Sequence, residues 1–223
     1  YGGQKIKFID FGGAFGTGGA LITGTERILV AGVLPIEPKI KWQLAEHLVV
    51  SLPAFQHRGA QREQVTGSVC GFAQQATADG VSAGILVDSL DVGHFMVEAC
   101  REAGLEIRPI GLLAKALEEQ SSSRKGVTIG MVGARMKAKR ICWVDAGLRR
   151  SIRDYSKKMP DATFRLKWYA DLAGIKQALR GTGAKRLSVI GLDSGTASEL
   201  SEQLGSKIHV RGLTSSRQLE LAS

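Results

Sequence analysis

Three short apolar runs separated by glycine-rich turns, all within residues 5–36 (KIKFIDFGGAFGTGGALITGTERILVAGVLPI), set the tightest limit on what this chain can fold into. Each run is too short for a helix, and together they read as an antiparallel meander of three strands. The first run ends on Asp10, where Phe11-Gly12-Gly13 lets the backbone turn away. A later run, residues 84–89 (GILVDS), also ends on an aspartate, Asp88. Its continuously apolar body is the pattern of a strand buried on both faces.

Beyond the meander, helical and strand patterns alternate. Ile40, Leu44, Leu48 and Leu52 fall at helical spacing and predict a helix over 39–52, closed by Pro53. The polar run 56–62 reads as an exposed loop, and Val65, Val69, Phe72 and Ala76 form the next helical face. Residues 83–87 then predict a strand, 92–103 a helix stopped by Gly104, 105–110 a strand and 112–119 a short helix. Ser121-Ser122-Ser123-Arg124-Lys125-Gly126 is the best linker in the chain, dividing it into 1–120 and 121–223. In the second part, 127–132 predicts a strand. A long helix is expected over 137–158, with Ile141, Val144, Leu148 and Ile152 on one face. Strands at 163–168, 186–192 and 208–210 are expected to alternate with helices at 172–179 and 197–204. The sum is an α/β fold with a mixed sheet, an antiparallel meander followed by parallel strands. Sites in such folds sit at the carboxyl ends of strands, where Asp10, Asp88 and Asp193 stand.

Composition narrows the class. With 223 residues and 43% hydrophobic content, the chain can bury one large core or two small ones. No apolar run is long enough to span a membrane, and Tyr1-Gly2-Gly3 opens neither a secretory leader nor a chain starting at Met, so an excised or processed product is expected. Cys70, Cys100 and Cys142 are odd in number and widely spaced, and each is read in a helix. That argues against a disulfide framework or a zinc site and for a reducing, cytoplasmic compartment. Charge is uneven: residues 1–120 carry a net −3 and residues 121–223 a net +12. A half that basic points to a polyanion such as nucleic acid. The basic residues crowd between Arg135 and Lys158, and Arg140, Arg149, Arg150, Arg153, Lys157 and Lys158 are the candidates to follow a phosphate backbone.

Paired carboxylates at strand ends are what two-metal phosphoryl transfer requires, because two divalent ions must hold the attacking water and the leaving oxygen. Asp10 and Asp88 supply two, and Asp91, Asp193 and Glu220 are the candidates for a third. The glycines from Gly12 to Gly19 lack the Gly-Lys-Ser/Thr of a phosphate loop and read as hairpin turns. His47, His57, His94 and His209 show no ligand spacing.

KIKFIDFGG, ILVDSLDVGHFMVEACREAGLEIRPI and the basic, Trp-containing KRICWVDAGLRRSI together resemble the nuclease domain of viral large terminases, an RNase H-like family that cuts DNA during capsid packaging. The resemblance implies an RNase H-like mixed sheet with a basic C-terminal α/β extension. It also implies a metal-dependent DNA endonuclease in which Asp10 and Asp88 hold Mg²⁺ or Mn²⁺. The family's C-terminal acidic segment corresponds here to RGLTSSRQLELA, whose one acid is Glu220. A second resemblance, carried by 85–120 with VTIGMVG and by AKRLSVIGLDSGTASELSEQLGSKIHVRGL, is to the two pseudo-symmetric halves of the aspartate/glutamate racemase superfamily. Asp88-Ser89 and Asp193-Ser194 stand where that family places its cysteines, so this likeness implies a two-lobed protein that binds small carboxylates without cysteine chemistry. A third expectation is a non-enzymatic binding module or an assembly partner in a larger complex.

Overall fold

The computed structural model describes residues 3–11, 18–34, 41–51, 58–119, 126–147 and 159–213. The chain forms two compact units, one made of Tyr1–Gln56 with Tyr169–Ser223 and the other of His57–Trp168. In chain order the first unit begins with β1 (Lys5–Asp10), β2 (Gly18–Thr23), β3 (Arg27–Val33) and β4 (His47–Ser51). The second unit follows as α1 (Arg62–Ala78), β5 (Ala83–Val87), α2 (Leu90–Glu102), β6 (Ile107–Pro109), α3 (Leu112–Ala116), β7 (Val127–Met131), β8 (Arg140–Asp145) and β9 (Ala162–Arg165). The first unit then resumes with α4 (Leu172–Thr182), β10 (Arg186–Ile190), α5 (Ser194–Leu204) and β11 (His209–Leu213).

The first unit is a six-stranded sheet in the order β1-β2-β3-β4-β10-β11. Its first three strands form the antiparallel meander expected from the glycine-punctuated runs, and β3, β4, β10 and β11 run parallel. The third strand of the meander, not the first, joins the parallel part, so β1 is an edge strand. Alternation along each strand sends Leu29, Leu48, Leu187 and Val189 to one face, where they bury with Ile175 and Leu179 of α4 and Leu200 of α5. Phe11, just past β1, closes this core and lies so close to Gly19 that a Cβ there would stand 2.2 Å from its ring and 2.5 Å from the Val30 carbonyl oxygen. Gly19 is therefore fixed by packing, in addition to any turn requirement. Aspartates start both helices: Asp171 accepts from the amides of Ala173 and Gly174, and Asp193 from that of Thr196.

The second unit is a five-stranded, all-parallel sheet in the order β6-β7-β5-β8-β9, with α1 and α2 packed against it. The central strand β5 is buried at every residue, as its unbroken apolar sequence requires. Ser89 caps α2 by accepting from the Val92 amide at 3.3 Å. Arg62 opens α1 and anchors the unit's last residue, its guanidinium lying 4.2 Å from the centroid of the Trp168 ring.

Two expected helices are strands. Within 39–52, whose described residues are 41–51, His47–Ser51 form β4, flanked by β3 and β10, with Leu48 and Val50 in the core and Leu44 exposed. Helical spacing of four leucine-class residues was outweighed there by the local Leu-Val-Val run, which pairs on both sides. Over 137–158 the described residues, 137–147, contain β8, RICWVD, buried from Ile141 to Asp145 between β5 and β9. A short apolar run fits a two-face-buried strand as well as a helix, and pairing decides between them. Cys142 accordingly lies in a strand. Cys70, Cys100 and Cys142 are all buried and free, with Cys70 Sγ 3.7 Å from Cys100 Sγ. Residues 121–125 of the expected linker lie outside the described residues, and the elements flanking them, α3 and β7, both belong to the second unit.

Candidate ligand-binding site

The two aspartates expected at a metal centre end strands of different sheets. Asp10 is the last residue of the edge strand β1, paired with Gly18 of β2. Asp88 follows the central strand of the other sheet and is only 3% exposed. Its carboxylate accepts from Trp143 Nε1 at 2.7 Å through Oδ1 and from the Ala146 amide at 2.9 Å through Oδ2. The side chain thus ties the carboxyl end of β5 to that of β8, and both oxygens are aimed at N–H donors. Among the described residues no group of three His, Cys, Asp or Glu side chains is placed to hold a metal ion. Glu220 lies outside the described residues.

Arg140 begins β8, forms an ion pair with Asp79 at 3.2 Å and stacks 5.0 Å from the centroid of the Phe72 ring, so its charge is already engaged. Arg149, Arg150, Arg153, Lys157 and Lys158 lie outside the described residues. Asp193 is a helix cap whose carboxyl is held below the usual carboxylate range by hydrogen bonds from the Thr196 amide and hydroxyl. The Ser194 carbonyl accepts from Ser198 Oγ.

The structure instead gathers a cleft of about 730 Å³ at the carboxyl end of β8 and β9, in the second unit. The volume falls within the usual range for sites that enclose a small organic ligand, ~300–1,000 Å³. Parallel pairing sets Asp145 beside Arg165 and Trp143 beside Thr163 in register, and all four line the cleft. Gln64, Val65 and Ser68 come from the start of α1, and Arg58 and Ala60 from the segment leading into it. That segment is held in place by a bridge to Leu166: the Ala60 amide donates to the Arg165 carbonyl, and the Lys167 amide to the Ala60 carbonyl, each at 2.9 Å. Gly59 is obligatory there, because a Cβ would lie 2.4 Å from the Leu166–Lys167 backbone.

Two features give the cleft its chemistry. Neither Arg58 nor Arg165 forms an ion pair with any described residue, although both line the cavity wall. Gln61, at the N-cap of α1, makes no side-chain bond to the first turn, so the helix presents its amide end without the usual cap. Asp145, whose Oδ1 accepts from the Gly147 amide at 2.8 Å, adds one negative group to the rim, while Trp143, Phe164 and Val65 supply apolar wall. The sequence singled out none of these residues as a site. The signal available was position alone: Asp145 and Arg165 end strands, but the apolar spacing over 137–158 predicts a helix there. No family model matches the chain, and no curated protein is significantly similar to it in sequence.

Proposed function

We propose that the chain is a binding module that takes a small organic anion, foremost a carboxylate, in the cleft at the carboxyl end of β8 and β9. The observation that carries this reading is a pair of arginines, Arg58 and Arg165, lining one cavity without an ion-pair partner among the described residues. Guanidinium groups hold carboxylates through two parallel N–H···O bonds, about twice as strong as neutral hydrogen bonds. The uncapped start of α1 favours negative charge in the same place. Trp143, Phe164 and Val65 would enclose the ligand's apolar body, and Gln64, Ser68 and Thr163 would orient its polar groups. The position also agrees with the general siting of ligands beyond the carboxyl ends of parallel strands.

A ligand that binds only the folded chain raises its stability by RT ln(1 + [L]/Kd), about 2.7 kcal/mol at a hundredfold excess over Kd. Thermal unfolding in malate, citrate, glutamate and inorganic phosphate, at matched ionic strength against chloride, should show a rise in Tm with at least one carboxylate. The rise should be lost in Arg58→Ala and in Arg165→Ala. Both arginines are exposed, so neither change should disturb folding. An unchanged response in the double variant, or no response to any of these anions, would remove the basis for the reading.

A further inference from the structure

We propose that the free edge of β1 is a docking site for an extended segment of a partner protein, added to the six-stranded sheet as a seventh strand and alternating acidic with apolar residues. This surface lies in the first unit and does not depend on the cleft. β1 pairs with β2 along its length, from Lys5 with Thr23 to Asp10 with Gly18. The other side of the strand is the end of the sheet, and among the described residues nothing pairs there. An unpaired edge offers a row of backbone donors and acceptors to any strand that approaches it.

The side chains on this edge say what kind of strand would fit. Ile6 and Phe8 point to one face and are 61% and 85% exposed, unusually open for large apolar groups. They continue a row through Ala20 and Ile22 of β2 to Ile28 and Val30 of β3, on the face opposite α4 and α5. Lys5 and Lys7 point to the other face and are exposed. A strand laid alongside keeps the same two-residue period. Its side chains beside Ile6 and Phe8 therefore meet apolar surface, and those beside Lys5 and Lys7 meet positive charge.

A second copy of this chain is the poorer occupant. In an antiparallel pair within one sheet, partners share a face, so β1 against β1 sets Lys7 opposite Lys7 or Lys5 opposite Lys7. The register centred on Phe8 avoids this only by placing Asp10 against Ile6. The far edge of the sheet, β11, carries His209 and Arg211, so head-to-tail stacking also brings basic edges together. Lysines on an edge strand repel copies of themselves, and the same charge selects an acidic strand.

The test uses fluorescence anisotropy with the full chain and three labelled probes: acetyl-Glu-Val-Glu-Val-Glu-Val, its Lys-for-Glu counterpart, and the Glu peptide N-methylated at every residue. The Glu peptide should bind at least tenfold more tightly than the Lys peptide, and N-methylation, which removes strand donors, should abolish binding. Lys5→Glu with Lys7→Glu should reverse the preference between the two charged peptides, and Phe8→Ser should weaken both by about tenfold, with circular dichroism verifying the fold of each variant. Equal binding of the N-methylated peptide would reduce the site to surface charge, and absence of any acidic preference would overturn the proposal. Concentration-dependent self-association abolished by Phe8→Ser would overturn it in favour of a copy of this chain.

Discussion

Replacing Asp88 by asparagine should destabilise the second unit by about 3 kcal/mol, a loss that follows from counting donors. The buried carboxylate accepts from Trp143 Nε1 at 2.7 Å and from the Ala146 amide at 2.9 Å. Asparagine offers one acceptor oxygen and one NH₂ group, so one of these two N–H groups would face a donor. A charge-assisted hydrogen bond is worth about 1.5–3 kcal/mol, and a buried donor left unsatisfied costs about 1–3 kcal/mol more, with local relaxation recovering part of the sum. Asp88→Ala, which leaves both donors without this acceptor, should cost at least as much. Urea unfolding followed by tryptophan fluorescence measures the change, and an unaltered m-value would show that stability alone has moved. The cycle with Trp143→Phe isolates the contact. Phenylalanine removes the indole donor, the asparagine oxygen can then turn to the Ala146 amide, and the cost of Asp88→Asn should shrink by about 1–2 kcal/mol. A carboxylate kept for a metal ion behaves in the opposite sense. Neutralising it relieves repulsion among neighbouring acids, so stability without metal holds or rises. Asp88→Asn within about 0.5 kcal/mol of the parent, additive with Trp143→Phe, would refute the structural account.

Two further outcomes follow from the described residues. Burial pushes the Cys100 thiol far up and the Cys142 thiol up to about 12, so neither should react measurably with an aromatic disulfide at pH 8 while the chain is folded. All three cysteines should titrate in denaturant, and rapid labelling of Cys100 or Cys142 in the native state would contradict the packing of α2 against β5 and β7 and of α1 against β8. His47, whose Nε2 lies 2.9 Å from Ser188 Oγ, has its pKa held below the ordinary 6.5 by burial, with the nearby Arg186 acting in the same sense and Glu26 opposing. The unfolded chain therefore binds this proton more readily, so the contribution of His47 to stability is complete above about pH 6.5 and is lost as the pH falls through the depressed folded value. His47→Gln should flatten that part of the stability profile, and an unchanged slope would count against the shift.

How far the fold was legible depends on what held each element in place. The meander was readable because its Gly-rich turns and short apolar runs are local, and β5 was readable because no helix is five residues of unbroken Ala-Gly-Ile-Leu-Val bounded by a turn and a capped Asp-Ser. The helices α1, α2, α4 and α5 announced themselves by apolar spacing, and Ser89, Asp171 and Asp193 cap the starts of the last three. By contrast β4 and β8 are strands because of what pairs with them. β4 lies between β3 and β10, whose residues are separated from it by the whole second unit on one side. β8 lies between β5 and β9. Nothing in HLVVS or RICWVD encodes those partners, and intrinsic periodicity could not outvote them.

The same distinction bears on the surroundings of Asp88. An aspartate that ends a buried strand must have its charge met, which is why the sequence singles out Asp88. What meets the charge was open, because an ion, a second acid sharing a proton and a pair of N–H donors all satisfy it, and they differ only in which residues stand opposite. The indole that meets it belongs to Trp143, 55 positions away, in a segment whose helical reading turned that side chain elsewhere. Once β8 is a strand beside β5, Leu86 pairs with Trp143, and the Nε1–H comes within reach of the carboxylate that ends β5. The same register continues through β9 and sets Arg165 beside Asp145 at the cleft. One change of element, from helix to strand over six residues, thus makes Asp88 a latch between β5 and β8 and sets the cleft one strand toward the sheet's edge.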